Sequence, residues 1–163
     1  MEVISSRADD RQALEAFLDR HHSLRVARRG ELVDALAHPA FLAWSDGELV
    51  GVATYVVGDG ECELLTLHAD TRFGGIGSAL VTAVQEAART AGCVRLWVVT
   101  TNDNVDALRF YQRRGFRLAR LRPGAVTESR RTLKPEIPTL GDYGIELRDE
   151  LELEMRLGDV DEA

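Results

Sequence analysis

Two periods of hydrophobicity alternate along this chain. Leu14, Phe17, Leu18 and His21 recur at helical spacing behind Asp9 and Asp10, either of which can cap a first helix. A second short helix is predicted over Glu31 to Ala37; His21 to Gly30, between the two, is polar and basic, and Pro39 closes the helical region. The period then shortens to two. Phe41 to Trp44 and Leu49 to Val57 read as strands joined by the turn residues Ser45-Asp46-Gly47-Glu48, a hairpin pattern. Gly58-Asp59-Gly60 is a second turn, and Glu61 to His68 a third strand.

From Ile76 the helical period returns through Ala79, Leu80, Ala83, Val84, Ala87 and Ala88 until Gly92 ends it. The nearly unbroken apolar run of Val94 to Thr101 predicts a buried strand. Asp103 or Asn104 can cap a short helix running to Arg114, with Gly115 as its stop, and Phe116 to Leu121 resumes as strand. Arg122 to Gly144 holds three of the chain's 4 prolines and is too long for a simple turn, so it is read as a functional or ordering loop. Ile145 to Leu157 alternates Leu151, Leu153, Met155 and Leu157 with Glu150, Glu152, Glu154 and Arg156, which predicts a half-buried final strand. The order is two helices, three strands, then helix, strand, helix and two strands: a mixed α/β domain.

The 163 residues are enough for one compact domain with a core, and the expectation is a single domain over 1–163. Hydrophobic residues at 45% and charged residues at 29% fit an ordinary globular chain. No apolar run approaches the roughly 20 residues that span a bilayer, and the N-terminus lacks a basic segment followed by an apolar one, so a cytoplasmic location is expected. Cys62 and Cys93 sit in apolar segments without partners at ligand spacing, and read as reduced core residues rather than a metal site. A net charge of -7 disfavours a nucleic-acid partner, which calls for a basic face, and suits a small cationic substrate, although net charge speaks mainly to solubility.

One segment carries chemistry. Arg72-Phe73-Gly74-Gly75-Ile76-Gly77 ends a strand in glycines and opens directly into a helix, so unpaired backbone N–H groups gather at the positive end of the helix dipole. That arrangement binds phosphates, with glycines letting the anion approach and Arg72 able to add a charge. Glycine kept for conformation alone is the competing reading. A dinucleotide-binding Gly-x-Gly-x-x-Gly does not fit, because the residue three after Gly77 is Leu80, and a phosphate-binding Gly-Lys-Ser/Thr is absent.

The run from Leu65 through Arg72, Gly75 and Gly77 to Leu80 resembles the acetyl-CoA motif of the GNAT N-acetyltransferase superfamily, Arg/Gln-x-x-Gly-x-Gly/Ala. A second segment similar to the family follows in order: Asn104-x-x-Ala107-x-x-Phe110-Tyr111-x-x-x-Gly115-Phe116. Ala69 stands where the family often has proline, and Phe73 where it often has a small residue. The resemblance covers roughly Leu49 to Leu121 and implies a mostly antiparallel central sheet flanked by helices, with acetyl-CoA as co-substrate. It further implies that backbone N–H groups of Phe73, Gly74, Gly75, Ile76, Gly77 and Ser78 hold the pyrophosphate. Leu67 would pair its main chain with pantetheine, Asn104 would contact that arm, and Ala107 and Tyr111 complete the cofactor set.

Acetyl transfer to an amine needs a base, a polarised thioester carbonyl and a proton for the departing thiolate. Tyr111 matches the family position that protonates the thiolate; its phenol, near a pKa of about 10 against about 8.5 for a thiol, is only slightly uphill as a donor. Core packing of the Phe110-Tyr111 pair is the alternative. Glu61 and Glu63 face the same way on the strand before the loop, and Glu63 is the candidate base, acting through water or on a desolvated amine, or else a solvated strand charge. His68 is a further candidate, and Leu67 N–H the candidate oxyanion donor.

For the acceptor, His21, His22 and Arg25 could line the cleft, as could Arg120, Arg122, Arg130, Arg131 and Lys134, which favour an anion, or Asp149, Glu150, Glu152 and Glu154, which favour a cation. Solvated surface is the better reading of both sets. Two functions compete: an N-acetyltransferase acting on a primary amine of a small molecule, peptide or lysine, and an acyl-CoA-binding sensor without turnover. Tyr111 and Glu63 favour the enzyme, since a sensor has no use for a proton donor beside the sulfur. The resemblance also allows a homodimer paired through the C-terminal strands.

Overall fold

The computed structural model describes residues 1–72 and 74–158. Its elements are β1 (Glu2–Ser5), α1 (Arg11–Arg20), β2 (Arg25–Arg28), β3 (Glu31–Asp34), β4 (Ala40–Ser45), β5 (Glu48–Gly58), β6 (Glu61–Ala69), α2 (Ile76–Thr90), β7 (Arg95–Thr101), α3 (Val105–Arg113), β8 (Arg117–Arg122), α4 (Ala125–Thr132) and β9 (Glu150–Arg156). Hydrogen-bonded neighbours run β1-β4-β5-β6-β7-β9-β8 in a seven-stranded sheet, and β2 and β3 form a separate pair. The pairs β1–β4, β4–β5, β5–β6 and β8–β9 are antiparallel, as expected for a mixed, mostly antiparallel sheet. The chain separates into two compact units, one of Met1–Arg25, Asp34–Leu96 and the chain from Arg156 onward, the other of Val26–Val33 and Trp97–Met155.

In the first unit, Asp46-Gly47 and Asp59-Gly60 hold φ between +49° and +78°, the left-handed pair that closes two-residue hairpins with the right twist. They set β4, β5 and β6 side by side. Leu42 and Val52, opposed in register, are wholly buried on one face of the sheet, and Leu80 and Val84 of α2 are wholly buried against the other. The close approach depends on Gly51, where a Cβ would stand 2.5 Å from Ile76 Cγ2. Gly92, at φ +79°, ends the α2 segment as its sequence position implies. β1 was not anticipated, because four residues at a sheet edge show too little periodicity; it pairs Val3 with Ala43.

The second helix expected over Glu31 to Ala37 is a strand followed by a single 3-10 turn, Ala35–Ala37. Arg29 and Gly30, at φ +52° and +76°, form a tight turn that folds Glu31–Asp34 back beside β2, and Arg28 pairs with Glu31 at 3.1 Å. The Asp34 carboxylate then accepts the Leu36 N–H at 3.0 Å, which ends the strand.

In the second unit, α3 is capped by Asn104, whose side chain accepts the Ala107 N–H at 3.1 Å, and Gly115 follows at φ +94°. The long segment after Arg122 contains a helix that the polar sequence concealed, α4, begun by Gly124 at φ +74° with its N–H on Asp149 Oδ1. Arg130 donates to the carbonyls of Ile137, Pro138 and Leu147, so the segment is ordered by one guanidinium satisfying three loop carbonyls. The final strand begins at Glu150, later than expected, and its glutamates correct the sequence reading. Glu150 is 2% exposed and Glu152 5%, buried rather than solvated.

Candidate functional site

The first unit carries the strand-and-loop half of the expected site. Thr54 pairs with Thr66, but Tyr55 pairs with Leu64, so β6 holds one extra residue, Leu65. Directly opposed residues share a face, and Thr54 and Val56 share one on β5. Glu63 therefore lies on the face of Thr66 and His68, and the bulge moves it off the face that Leu67 shares with Gly51 and Ala53. Along that face the Thr54 and Thr66 hydroxyls lie 2.6 Å apart, and His68 Nε2 lies 2.7 Å from Ser23 Oγ. His21, at the end of α1, stacks on His68 with centroids 4.6 Å apart. Burial, then the neighbouring His21, pushes the His68 imidazole down to about 4, so it is neutral at pH 7. Glu63 itself is 3% exposed, which removes the solvated-charge reading.

Gly75 is the N-cap of α2 at φ +83°, a conformation that favours glycine, and a cap without a side chain leaves the first-turn N–H groups unclaimed by it. A Cβ at Gly74 or Gly75 would meet open space, so the N-terminus of α2 is approachable from outside. Phe73 lies outside the described residues. Arg72 departs from its expected use: its guanidinium donates to both Asp70 oxygens, at 2.6 Å at the shortest, and to Glu48 Oε1 at 3.0 Å. Its charge is committed to two carboxylates, and the bond from Arg72 in turn holds the Asp70 carboxyl below its ordinary range. A groove of about 450 Å³ beside it is lined by Phe17, Arg20, His21, Leu49, Asp70 and Arg72.

The second unit carries Asn104, Ala107 and Tyr111. Asn104 spends its side-chain oxygen on capping α3, a structural job in addition to the pantetheine contact expected of it. Tyr111 is 6% exposed, edge-on to Phe116 with centroids 5.3 Å apart, and desolvation raises its phenol above the ordinary tyrosine value. Of the aromatic pair, Tyr111 is thus the buried member, while Phe110 lies under the Arg114 guanidinium at 3.6 Å.

The remaining candidates divide. His22, Arg25 and Arg120 are exposed, Arg131 pairs with Glu128, and Lys134 is half-buried, with burial lowering its amine. Arg122, Glu150 and Glu152 instead form one buried cluster, with Arg122 Nη2 2.6 Å from Glu152 Oε1. The signal for it was present in the sequence as two complementary strands, Arg-Leu-Ala-Arg-Leu-Arg at 117–122 and Glu-Leu-Glu-Leu-Glu at 150–154, which pair antiparallel. Among the described residues no metal-binding cluster occurs, and no helix is long and apolar enough to cross a membrane.

A strand that runs into a glycine-capped helix beside an antiparallel meander defines an acyltransferase-type fold. Residues 6–116 match the sequence model of the Acetyltransferase (GNAT) family, and the chain belongs to that family. It is 46% identical over 105 residues to the uncharacterized protein YdhI of Bacillus subtilis (strain 168), a match covering 64% of this chain and 65% of that relative's length. Among solved structures, it superposes on the IAA acetyltransferase from Bacillus cereus ATCC 14579 with a TM-score of 0.72 at 20% identity, covering 95% of this chain and 99% of the other. A GNAT family acetyltransferase from Elizabethkingia anophelis, solved with acetyl-CoA bound, gives 0.66 at 21% identity over 95% and 97%.

Proposed function

We propose that this chain is an acetyl-CoA-dependent N-acetyltransferase that moves an acetyl group to a primary amine by direct attack on the thioester. The observation that carries this reading is the exposed, left-handed Gly75 cap of α2, with room at Gly74 and Gly75 for an anion against the helix N-terminus. A pyrophosphate fits that cradle, because backbone N–H groups from Gly74 to Ser78 can point at it without a side chain intervening. Leu67, on the strand leading into the loop, offers main-chain groups to the pantetheine arm and an N–H to the developing oxyanion. The relatives of known structure, one of them holding acetyl-CoA, support the same donor.

Glu63 is assigned as the base. Buried on the face of Thr66 and His68, it takes the proton, directly or through a water, of an amine whose pKa desolvation lowers from about 10.4, which makes transfer to a carboxylate less uphill. Tyr111 donates its phenolic proton as the C–S bond breaks. Burial raises its pKa, so the phenol stays protonated but gives up its proton to the thiolate less readily than the ordinary tyrosine value implied.

The test is release of free thiol from acetyl-CoA in the presence of a panel of primary amines. Release with at least one amine class is expected. Tight binding of acetyl-CoA with no release for any class would replace the enzyme with an acyl-CoA sensor.

A further inference from the structure

Arginine alternating with leucine makes β8, in the second unit, two-faced. Its register with β9 opposes Arg117, Arg120 and Arg122 to Glu154, Glu152 and Glu150. Leu118 and Leu121 oppose Leu153 and Leu151, with Ala119 the extra residue that keeps both leucines on one face. Basic and acidic side chains therefore share one face of the pair, and leucines share the other. The inner edge uses this match: Arg122 Nη2 lies 2.6 Å from Glu152 Oε1, and Leu153 is wholly buried. The outer edge does not. β8 is the last strand of the sheet, and among the described residues no backbone group of 118–121 bonds outside the strand ladder. Leu118 and Leu121 are each 57% exposed. Arg117 and Arg120 are also exposed, and they form no ion pair among the described residues.

We propose that the outer edge of β8 is a docking strand for a partner protein, and that the partner supplies an extended segment in which acidic residues alternate with apolar ones. Such a segment repeats what β9 offers on the inner edge: main-chain groups for the ladder, carboxylates for the arginine face and apolar side chains that extend the leucine face. Strand addition draws affinity from the unpaired N–H and C=O groups and selects its partner through the alternating side chains. The charge of the face favours acid. Glu152, opposite Arg120, is taken by Arg122, and Arg28 and Arg29 of the neighbouring hairpin also act on Glu150 and Glu152. Even with Glu31 counted against Arg28, arginines outnumber carboxylates there. The same charge disfavours a second copy of the chain as occupant, because β8 laid against another β8 sets arginine beside arginine. Edge arginines thus deter self-pairing and leave the exposed leucines to a partner of opposite charge.

Two labelled peptides, Glu-Leu-Glu-Leu-Glu-Leu and Lys-Leu-Lys-Leu-Lys-Leu, test this by fluorescence anisotropy on the whole chain at low salt. The acidic peptide should bind about tenfold more tightly than the basic one, the scale of two exposed ion pairs set against two repulsions. Raising the salt should narrow that gap. With the acidic peptide at about ten times its dissociation constant, the outward amides of 118–121 should exchange about tenfold more slowly, because the added strand covers them. Arg117→Gln combined with Arg120→Gln should remove the preference for acid. Leu118→Ser combined with Leu121→Ser should weaken the acidic peptide about tenfold and keep the preference. The exchange measurement uses the native chain, so it decides the matter even where a variant unfolds. Equal affinity for the two peptides, no binding of the acidic one, or slowed exchange only outside β8 would each overturn the proposal. So would a dimer in sedimentation whose β8 amides are protected without peptide, since the edge would then belong to a second copy. None of these outcomes depends on acetyl transfer.

Discussion

Gly51 on β5 and Ile76 at the first position of α2 lie so close that a methyl group on Gly51 would stand 2.5 Å from Ile76 Cγ2 and 3.0 Å from Leu80 Cδ1. Both neighbours are buried, so neither can swing aside, and the His68 carbonyl would lie 3.2 Å from the same methyl. The distance between sheet and helix, and with it the height of the glycine-capped N-terminus above β6, is set by the absence of one Cβ.

Gly51→Ala should therefore destabilise the fold by about 1–3 kcal/mol, the cost of overpacking, against the mild gain that Gly→Ala gives where there is room. Gly58→Ala is the control, because nothing lies within 4 Å of a Cβ there. Chemical denaturation checks the pair. Equal stability of the two variants would mean that α2 is not seated on Gly51.

The glycine loop, the α2 periodicity and the Asn104 cap were legible in the sequence because each is local: a handful of residues determines a turn, a face or a cap. What escaped was set by how residues pair with one another rather than by the pattern of any one segment. The Arg29-Gly30 turn made a strand of Glu31 to Asp34, whose pattern fits a helix equally well over so few residues. Glu150 and Glu152 looked solvated because burial of a carboxylate depends on its partners, and Arg122 lies 28 and 30 positions away. The extra residue in β6 that turns Glu63 onto the face of His68 is visible only once β5 supplies the register. Arg72 was legible as a cation, but its capture by Asp70 and Glu48 was not.

That capture leads to a prediction of unusual sign. Asp70 takes the Arg72 guanidinium through both oxygens while lying next to a loop proposed to hold a pyrophosphate. Asp70→Asn removes a negative charge from the neighbourhood and loosens Arg72 toward it. The dissociation constant for coenzyme A should fall about two- to fivefold at low salt and return toward the native value as salt is raised, because exposed charges are screened. Calorimetric titration at two ionic strengths reads this out. Weaker binding by Asp70→Asn would show that the clamp, rather than the free charge, is what the loop needs.

Tyr111→Phe isolates the phenolic proton, since the ring contacts with Phe110 and Phe116 survive the change. The expected outcome is a fall in kcat of about 100-fold, the lower range for loss of a general acid, with the dissociation constant of acetyl-CoA within about twofold. The loss should shrink for acyl donors whose thiolate leaves more easily, because they need the proton less. An unchanged kcat would return Tyr111 to core packing.

His68 gives the chain a pH dependence whose direction follows from its burial. The imidazole is held at about 4 against an ordinary 6.5, first by desolvation and then by the neighbouring His21. The unfolded chain therefore takes up a proton as pH falls through 6.5, while the folded chain declines it until near 4. Stability from this group is complete above 6.5 and is lost progressively between 6.5 and 4. At pH 5 the loss is about 2 kcal/mol, or about 4–8 °C in melting temperature for a chain of this size. His21, also lowered by burial first, adds to the loss in the same direction. His68→Gln keeps a side chain able to bond Ser23 Oγ but cannot titrate, so the drop in melting temperature between pH 7.5 and 5 should shrink by at least half. An identical drop in native and His68→Gln proteins would place the acid sensitivity elsewhere, and leave the Ser23–His68 contact a purely structural bond between the segment after α1 and β6.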